Sequence, residues 1–296
     1  MRLFFFFWGD MYLARMLTLD AKAWQHLSGP FGIDGSLPEA IAGLQSDYSK
    51  ELLDEIIWEK IYHQDTLYEN TFATIPYLLE LAANNTDPET QIDILCSLAI
   101  LLAADGNPPA KDTIPAEFRD NSGLSPEEIK AVFNDYLLAL ERLPALCETL
   151  LPEARELPEE TDKSYFLAAL AVAHGQRDFA RVFIQYYEGE EYMAYCPACE
   201  AGSHVWPKGD ELRIYAEDPV FHKEQEGDAV TPHPELIPAW DGSTITAANR
   251  YAWGYDFLTQ LDMPALRARW PYLFGTARCP GCGAEMDLFR SILAGV

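Results

Sequence analysis

Basic residues are scarce in this chain of 296 residues, which has 21 Lys and Arg against 47 Asp and Glu. The formal net charge of −26 repels phosphate backbones and anionic lipid headgroups, so nucleic acids and membrane surfaces are disfavoured as partners. The sequence also lacks a P-loop, a G-x-S-x-G turn and a dinucleotide-binding glycine pattern. The acidic surface either serves solubility alone or predicts a protein partner whose surface is basic or neutral.

Long apolar runs and abundant cysteine are also missing. The apolar run at residues 3–8 is six residues long, which is too short for a secretion signal or a membrane span. It is either a short packed segment or an extension upstream of a true start at Met11 or Met16. Six cysteines in a chain of this length are too few for a secreted disulfide scaffold, so we expect a reducing, cytoplasmic location.

Helical periodicity dominates from about residue 36 to residue 187. Ser36 and Ser125 each stand three positions before a glutamate, which predicts capping boxes that open helices at about 37 and 126. Asp87 followed by proline predicts another helix start, and Pro144 predicts an end or a kink near residue 143. Residues 163–175 and 177–187 are expected to form an antiparallel helix pair. Together the pattern predicts a mainly α fold, either a HEAT-like helical array or an irregular helical bundle.

Residues 61–82 resemble a stretch of bacterial HEAT-like α-solenoid proteins. The resemblance is carried by a helix followed by His63-Gln64, Leu67-Tyr68, Thr71 and Pro76, and upstream by Trp24, Leu27, Phe31-Gly32 and Leu44. It covers about the first third of the chain, and Asp65 stands where that group often has glycine. The resemblance implies a stacked-helix fold used for binding, in some members an immunity or interaction role, and no catalytic residues.

The composition changes after residue 188, so we predict two regions: a helical array over 1–187 and a zinc-ribbon-like region with a helical insertion over 188–296. Within the second region, residues 204–206 and 212–215 are expected to be short strands. Residues 217–238 are polar and rich in proline, which predicts an extended loop. This region should therefore contribute a small β element to the mainly α chain.

The second region carries two Cys-Pro-x-Cys turns, which are the strongest functional signal in the sequence. Cys196 and Cys199 form the first turn, and Cys279 and Cys282 form the second. Each turn can present two thiolates, and four thiolates complete the tetrahedral shell of a structural Zn²⁺. Separate redox dithiols are the alternative. Gly283 suits the tight second turn, whereas Glu200 at the equivalent place predicts a looser first turn.

An enzyme is the alternative to a binding protein. A hydrolase using the polar insertion 204–238 requires at least two residues of a candidate set to converge in a pocket; the set is His204, His222, His233 and Asp210. Carboxylates also flank the predicted strand, but such pairs arise by chance in an acidic chain. Because the histidine spacing matches no compact metal motif, we expect a non-enzymatic interaction protein, with a scaffold or immunity-like role and a structural zinc.

Overall fold

The computed structural model describes residues 16–104, 108–234, 240–246 and 248–296. The apolar N-terminal run, and both readings of it, lie outside the described residues. Internal contacts divide the chain into two compact units, Met1–Leu150 and Leu151–Val296. The division that we predicted between residues 187 and 188 does not coincide with this one and stays a prediction.

The first unit is built mainly of helices. They are α1 (Leu37–Ser46), α2 (Lys50–Asp54, continued by a π-helix over Glu55–Ile61), α3 (Glu69–Asn84), α4 (Pro88–Ala104), α5 (Pro126–Leu140) and α6 (Leu143–Thr149). Short 3₁₀ turns lie at Lys22–His26 and Ala116–Phe118. Two small antiparallel hairpins complete the unit, β1 (Ser28–Gly29) with β2 (Gly32–Ile33) and β3 (Tyr62–His63) with β4 (Thr66–Leu67).

Helix starts in the first unit follow the local capping chemistry, with one exception. The capping box at Ser125 is confirmed, because its hydroxyl accepts from the Glu128 amide at 3.2 Å and its amide donates to the Glu128 carboxylate at 2.7 Å. The box predicted at Ser36 is wrong. The amide and hydroxyl of Ser36 both donate to Asp34, and Ser36 itself has a helical backbone. Asp34 therefore accepts from the Ser36 amide in place of Glu39, and it binds the hydroxyl that would have accepted from the Glu39 amide.

Helix α3 lies at the centre of the first unit and is buried along most of its length. It packs against α4, α5 and β1. The ring of Phe72 lies 5.7 Å from Phe118, 5.8 Å from Phe133 and 5.1 Å from Tyr136, centroid to centroid. These rings are almost completely buried, so this aromatic cluster anchors α3 to α5 by removing apolar area from water.

The second unit combines helices with small antiparallel sheets. Its helices are α7 (Leu151–Arg155), α8 (Glu160–Ala173), α9 (Arg177–Gln185), α10 (Arg250–Gln260), α11 (Pro264–Leu273) and α12 (Leu288–Leu293). A four-stranded sheet has the order β5 (Tyr192–Tyr195), β6 (Gly202–Lys208), β7 (Glu211–Tyr215), β8 (Asp228–Ala229), and β9 (Thr276–Arg278) pairs with β10 (Glu285–Asp287). The predicted helix pair and both predicted strands are confirmed in α8, α9, β6 and β7.

An aromatic core holds the second unit together. Phe179 of α9 lies 5.7 Å from Trp253 in α10, 5.8 Å from Trp270 in α11 and 5.3 Å from Phe289 in α12. The indole N–H of Trp270 donates to the Tyr251 carbonyl at 2.9 Å, which satisfies the polar atom of a fully buried ring. Three later helices, α10, α11 and α12, thus converge on one residue of α9.

About half of the chain is helical, and the strands of the described residues form small antiparallel sheets. Among the described residues, no helix combines the length and the apolar character that crossing a membrane requires.

Candidate metal centre

The first cysteine turn closes the hairpin between β5 and β6. The Cys196 amide donates to the Ala201 carbonyl at 3.0 Å, and the Glu200 amide donates back to the Cys196 carbonyl at 2.8 Å. Glu200 has a φ of 62°, in the left-handed region. These bonds fold six residues into a compact turn that directs both cysteine side chains to one side.

The second cysteine turn joins β9 to β10 with the same backbone pattern. The Cys279 amide donates to the Ala284 carbonyl at 2.8 Å, and the Gly283 amide donates to the Cys279 carbonyl at 2.8 Å. Gly283 has a φ of 74°, close to the value at Glu200. The expectation of a looser first turn is therefore wrong, because the hydrogen bonds hold Glu200 in a conformation that glycine adopts more readily.

The two turns bring their four sulfur atoms together. The Cys196 and Cys282 sulfurs lie 3.8 Å apart, and those of Cys199 and Cys279 lie 3.7 Å apart. All four atoms lie within 4.8 Å of one another. These distances exceed a disulfide bond of about 2.05 Å, but they match the edge of a tetrahedron of about 3.8 Å expected for metal–sulfur bonds of about 2.3 Å. The geometry therefore fits one metal ion held by all four cysteines.

The four thiols differ in exposure, and the two thiols of the first turn differ in proton affinity. Cys196 and Cys279 are buried, whereas Cys199 and Cys282 are exposed. Amides of Ala198 and Cys199 donate to the Cys196 sulfur and lower its pKa to about 7. The Ala201 amide donates to the Cys199 sulfur, yet the neighbouring Cys282 thiol and desolvation outweigh it and raise the pKa of Cys199 to about 12. The Cys196 thiolate therefore forms easily, and a bound cation is needed to keep several of the cysteines deprotonated at once.

The residues of the hydrolase hypothesis lie in different local surroundings. His204 lies on β6 beside Glu191, and the ring of His233 packs at 4.8 Å on Tyr251. His222 is exposed next to Glu217, at 3.2 Å, and Asp210 lies in the turn between β6 and β7. Among the described residues, no set of three or more metal-capable groups contains two of these four candidates. A surface cavity of about 650 Å³ beside the first cysteine turn is lined by none of them.

A second cluster of ligand-type side chains was not anticipated. Glu191, His204 and Asp218 each place one ligand atom within 4.8 Å of the other two. His204 was a candidate from the sequence, but its two carboxylate neighbours come from separate segments. The signal for Glu191 is the pairing of β5 with β6. Because the register places Tyr192 opposite Val205, the preceding residue Glu191 lies near His204.

No family model, curated protein or solved structure matches this chain. The resemblance of residues 61–82 to HEAT-like proteins therefore depends on its quoted residues alone.

Proposed function

We propose that this chain is a non-enzymatic protein-interaction protein whose second unit is stabilised by a structural zinc ion. The convergence of four cysteine sulfurs at tetrahedral spacing carries the proposal. Four thiolates favour Zn²⁺ over the oxygen-preferring Mg²⁺ and Ca²⁺. They also fill every position of a tetrahedral ion, which leaves no place for a reacting water. The ion would cross-link the two turns and supply no catalytic chemistry.

The amides around the sulfurs support a thiolate-bound cation. Ala198 and Cys199 donate to the Cys196 sulfur, and Ala201 donates to Cys199. Such bonds stabilise negative charge on sulfur and orient it toward a shared centre. The cysteines have to stay reduced to bind the ion, so a reducing, cytoplasmic compartment belongs to the same proposal.

For the first unit, we interpret the helices as a short HEAT-like array. Helix α3 packs against α5, two helices further along the chain. Asp93 of α4 pairs with Lys50 of α2 at 3.0 Å and accepts a hydrogen bond from Tyr48. Contacts between helices two apart are what successive stacked helix pairs produce. The nearly complete burial of α3 equally suits an irregular bundle, which stays the alternative.

An exposed apolar patch on the first unit supports a role in binding. We call the side chains of Phe31 and Ile33, which share the β1–β2 hairpin, the aromatic patch; they are 73% and 58% exposed. The Phe31 ring lies 5.5 Å from His63 and is held on the β1–β2 hairpin. Large apolar side chains exposed near one another are typical of interaction surfaces. In a chain with a net charge of −26, the fitting partner offers an apolar contact within a basic surface, in a scaffold or immunity-like role.

The zinc part is tested by the metal content of protein purified without chelator. About one zinc per chain supports the proposal, and a metal-free protein with four reactive thiols contradicts it. A redox dithiol predicts that all four cysteines react rapidly with a thiol reagent.

The binding part is tested by affinity capture from the native host at rising salt. The bait variants are Phe31→Ser and a matched control, Phe221→Ser, because Phe221 is 80% exposed in the second unit. A genuine partner should be lost with Phe31→Ser, retained with Phe221→Ser and weakened as salt increases. If the wild type, Phe31→Ser and Phe221→Ser capture the same proteins equally at high salt, binding through the aromatic patch and by electrostatic attraction is contradicted.

A further inference from the structure

Glu191, His204 and Asp218 form a compact mixed nitrogen and oxygen cluster in the second unit. The His204 Nδ1 atom lies 2.7 Å from the Glu191 Oε1 atom, and Asp218 completes a set with all three ligand atoms within 4.8 Å. All three residues are partly buried. They come from the start of β5, from β6 and from the loop after β7, so the fold and not local sequence brings them together.

The backbone positions each member of the cluster. In the register of β5 and β6, His204 is opposite Met193, which makes Glu191 a diagonal neighbour on the same face. The Val220 amide donates to one Asp218 carboxylate oxygen at 2.8 Å. That bond fixes the orientation of the carboxylate and leaves its second oxygen for another partner, as is usual for a metal-binding carboxylate.

The charges of the cluster favour a cation. Two carboxylates lie beside a single imidazole, in a chain with a net charge of −26. Among the described residues, neither Glu191 nor Asp218 forms an ion pair with a lysine or an arginine. Protonated His204 can neutralise only one of the two carboxylates, whereas a divalent cation neutralises both.

We propose that Glu191, His204 and Asp218 bind a divalent metal ion such as Mn²⁺ or Zn²⁺, at a site separate from the four cysteines. Ligand atoms at about 2.0–2.2 Å from one ion are separated by about 3.4 Å in a tetrahedral arrangement and up to about 4.3 Å when opposite each other. The 4.8 Å limit within which all three ligand atoms lie admits these separations, and the Glu191–His204 contact of 2.7 Å would widen to admit the ion. Imidazole with carboxylates suits Zn²⁺ or Mn²⁺ better than a soft thiolate-binding ion.

Three protein ligands leave coordination positions open, unlike the four-cysteine centre. Met193, opposite His204, lies three residues from Cys196, which corresponds to roughly 10 Å along an extended strand. The bound ion would therefore carry water or an oxygen ligand of a partner or small molecule at a distinct place. This inference does not depend on the proposed interaction role, and either can fail without the other.

The test is a titration with Mn²⁺ of the full chain carrying a single equivalent of zinc, which the four thiolates take up, followed by electron paramagnetic resonance of the unbound ion. Mn²⁺ is the probe because it competes poorly for thiolates, so the cysteine centre stays occupied. The variants are His204→Ala and the nearly isosteric Asp218→Asn. The control is His222→Ala, because His222 is an exposed neighbour paired with Glu217.

We expect one tight Mn²⁺ site in the wild type and in His222→Ala, with affinity reduced more than about tenfold in His204→Ala and Asp218→Asn. Imidazole nitrogen coupling to bound Mn²⁺ should be present in the wild type and absent in His204→Ala. Zinc content and circular dichroism establish that the variants fold. Equal Mn²⁺ binding by wild type and His204→Ala, or no binding by either, overturns the site and leaves a hydrogen-bonded pair only.

Discussion

Replacing Cys282 with serine tests how much the proposed metal cross-link contributes to stability. Cys282 is exposed, so the substitution removes a ligand with little loss of packing. Cys199 and Cys279 are 80 positions apart, and closing a loop of this length stabilises a chain by about 4.5 kcal/mol in the chain-entropy model. The aromatic core already restrains part of this loop, so we expect the free energy of unfolding of the second unit to fall by roughly 2–4 kcal/mol.

Urea unfolding combined with hydrogen exchange measures this effect and locates it. Exchange should accelerate over residues 192–208 and 276–287, which flank the two turns, and stay unchanged over 69–104 in the first unit. Cys96→Ser is the matched control, since Cys96 is a partly buried thiol of α4 outside the cluster. If Cys282→Ser unfolds at the same urea concentration as Cys96→Ser, with unchanged exchange at both turns, the cross-link reasoning is wrong.

The remaining predictions concern single backbone, charge and packing features. Gly283→Ala should destabilise the second unit by about 1 kcal/mol, because an alanine at a φ of 74° is strained. Glu200→Gly should not destabilise it, because Glu200 already has a φ of 62°, which glycine adopts without strain. The urea midpoints of both variants measure this, and a Gly283→Ala midpoint equal to that of the wild type contradicts the turn geometry. Burial acts to raise the pKa of Asp34, but hydrogen bonds from Lys60 and Ser36 lower it to about 2, from an ordinary 3.8. Its stabilisation is therefore present above pH 3.8 and lost as the pH falls through about 2, and Lys60→Met should raise this pKa in a carboxyl NMR titration; an unchanged value refutes the pairing. Gly254→Ala should destabilise by roughly 1–3 kcal/mol, since the new Cβ atom would lie 2.2 Å from the buried indole of α11; a thermal midpoint equal to that of the wild type would contradict this packing.

Short-range signals in the sequence predicted much of the local structure. The Ser125 box and the Asp87 cap are both present, the latter with the Thr90 amide donating at 3.0 Å. Pro144 lies where α5 has ended and α6 begins, as expected from its missing amide. The Ser36 box failed because Asp34, two residues upstream and paired with Lys60, binds both the amide and the hydroxyl of Ser36.

The four cysteines were predictable as a set because their spacing repeats in two turns that need no distant information. The cluster of Glu191, His204 and Asp218 was not, since its members have no motif spacing and meet only through strand register and a loop. The aromatic core around Phe179 was missed for a related reason. Helical periodicity indicates which face of α9 is apolar, but it does not indicate which helices cover that face.

The sulfur contacts of the metal centre have a consequence for oxidative damage. Each short contact joins a buried sulfur of one turn to an exposed sulfur of the other, Cys196 to Cys282 and Cys199 to Cys279. When an oxidant reacts with the exposed cysteine of either pair, the thiol in contact with that cysteine belongs to the other turn. Closing 3.7 or 3.8 Å to about 2.05 Å would then join the β5–β6 turn covalently to the β9–β10 turn, so the two turns would stay linked after a bound ion had been expelled.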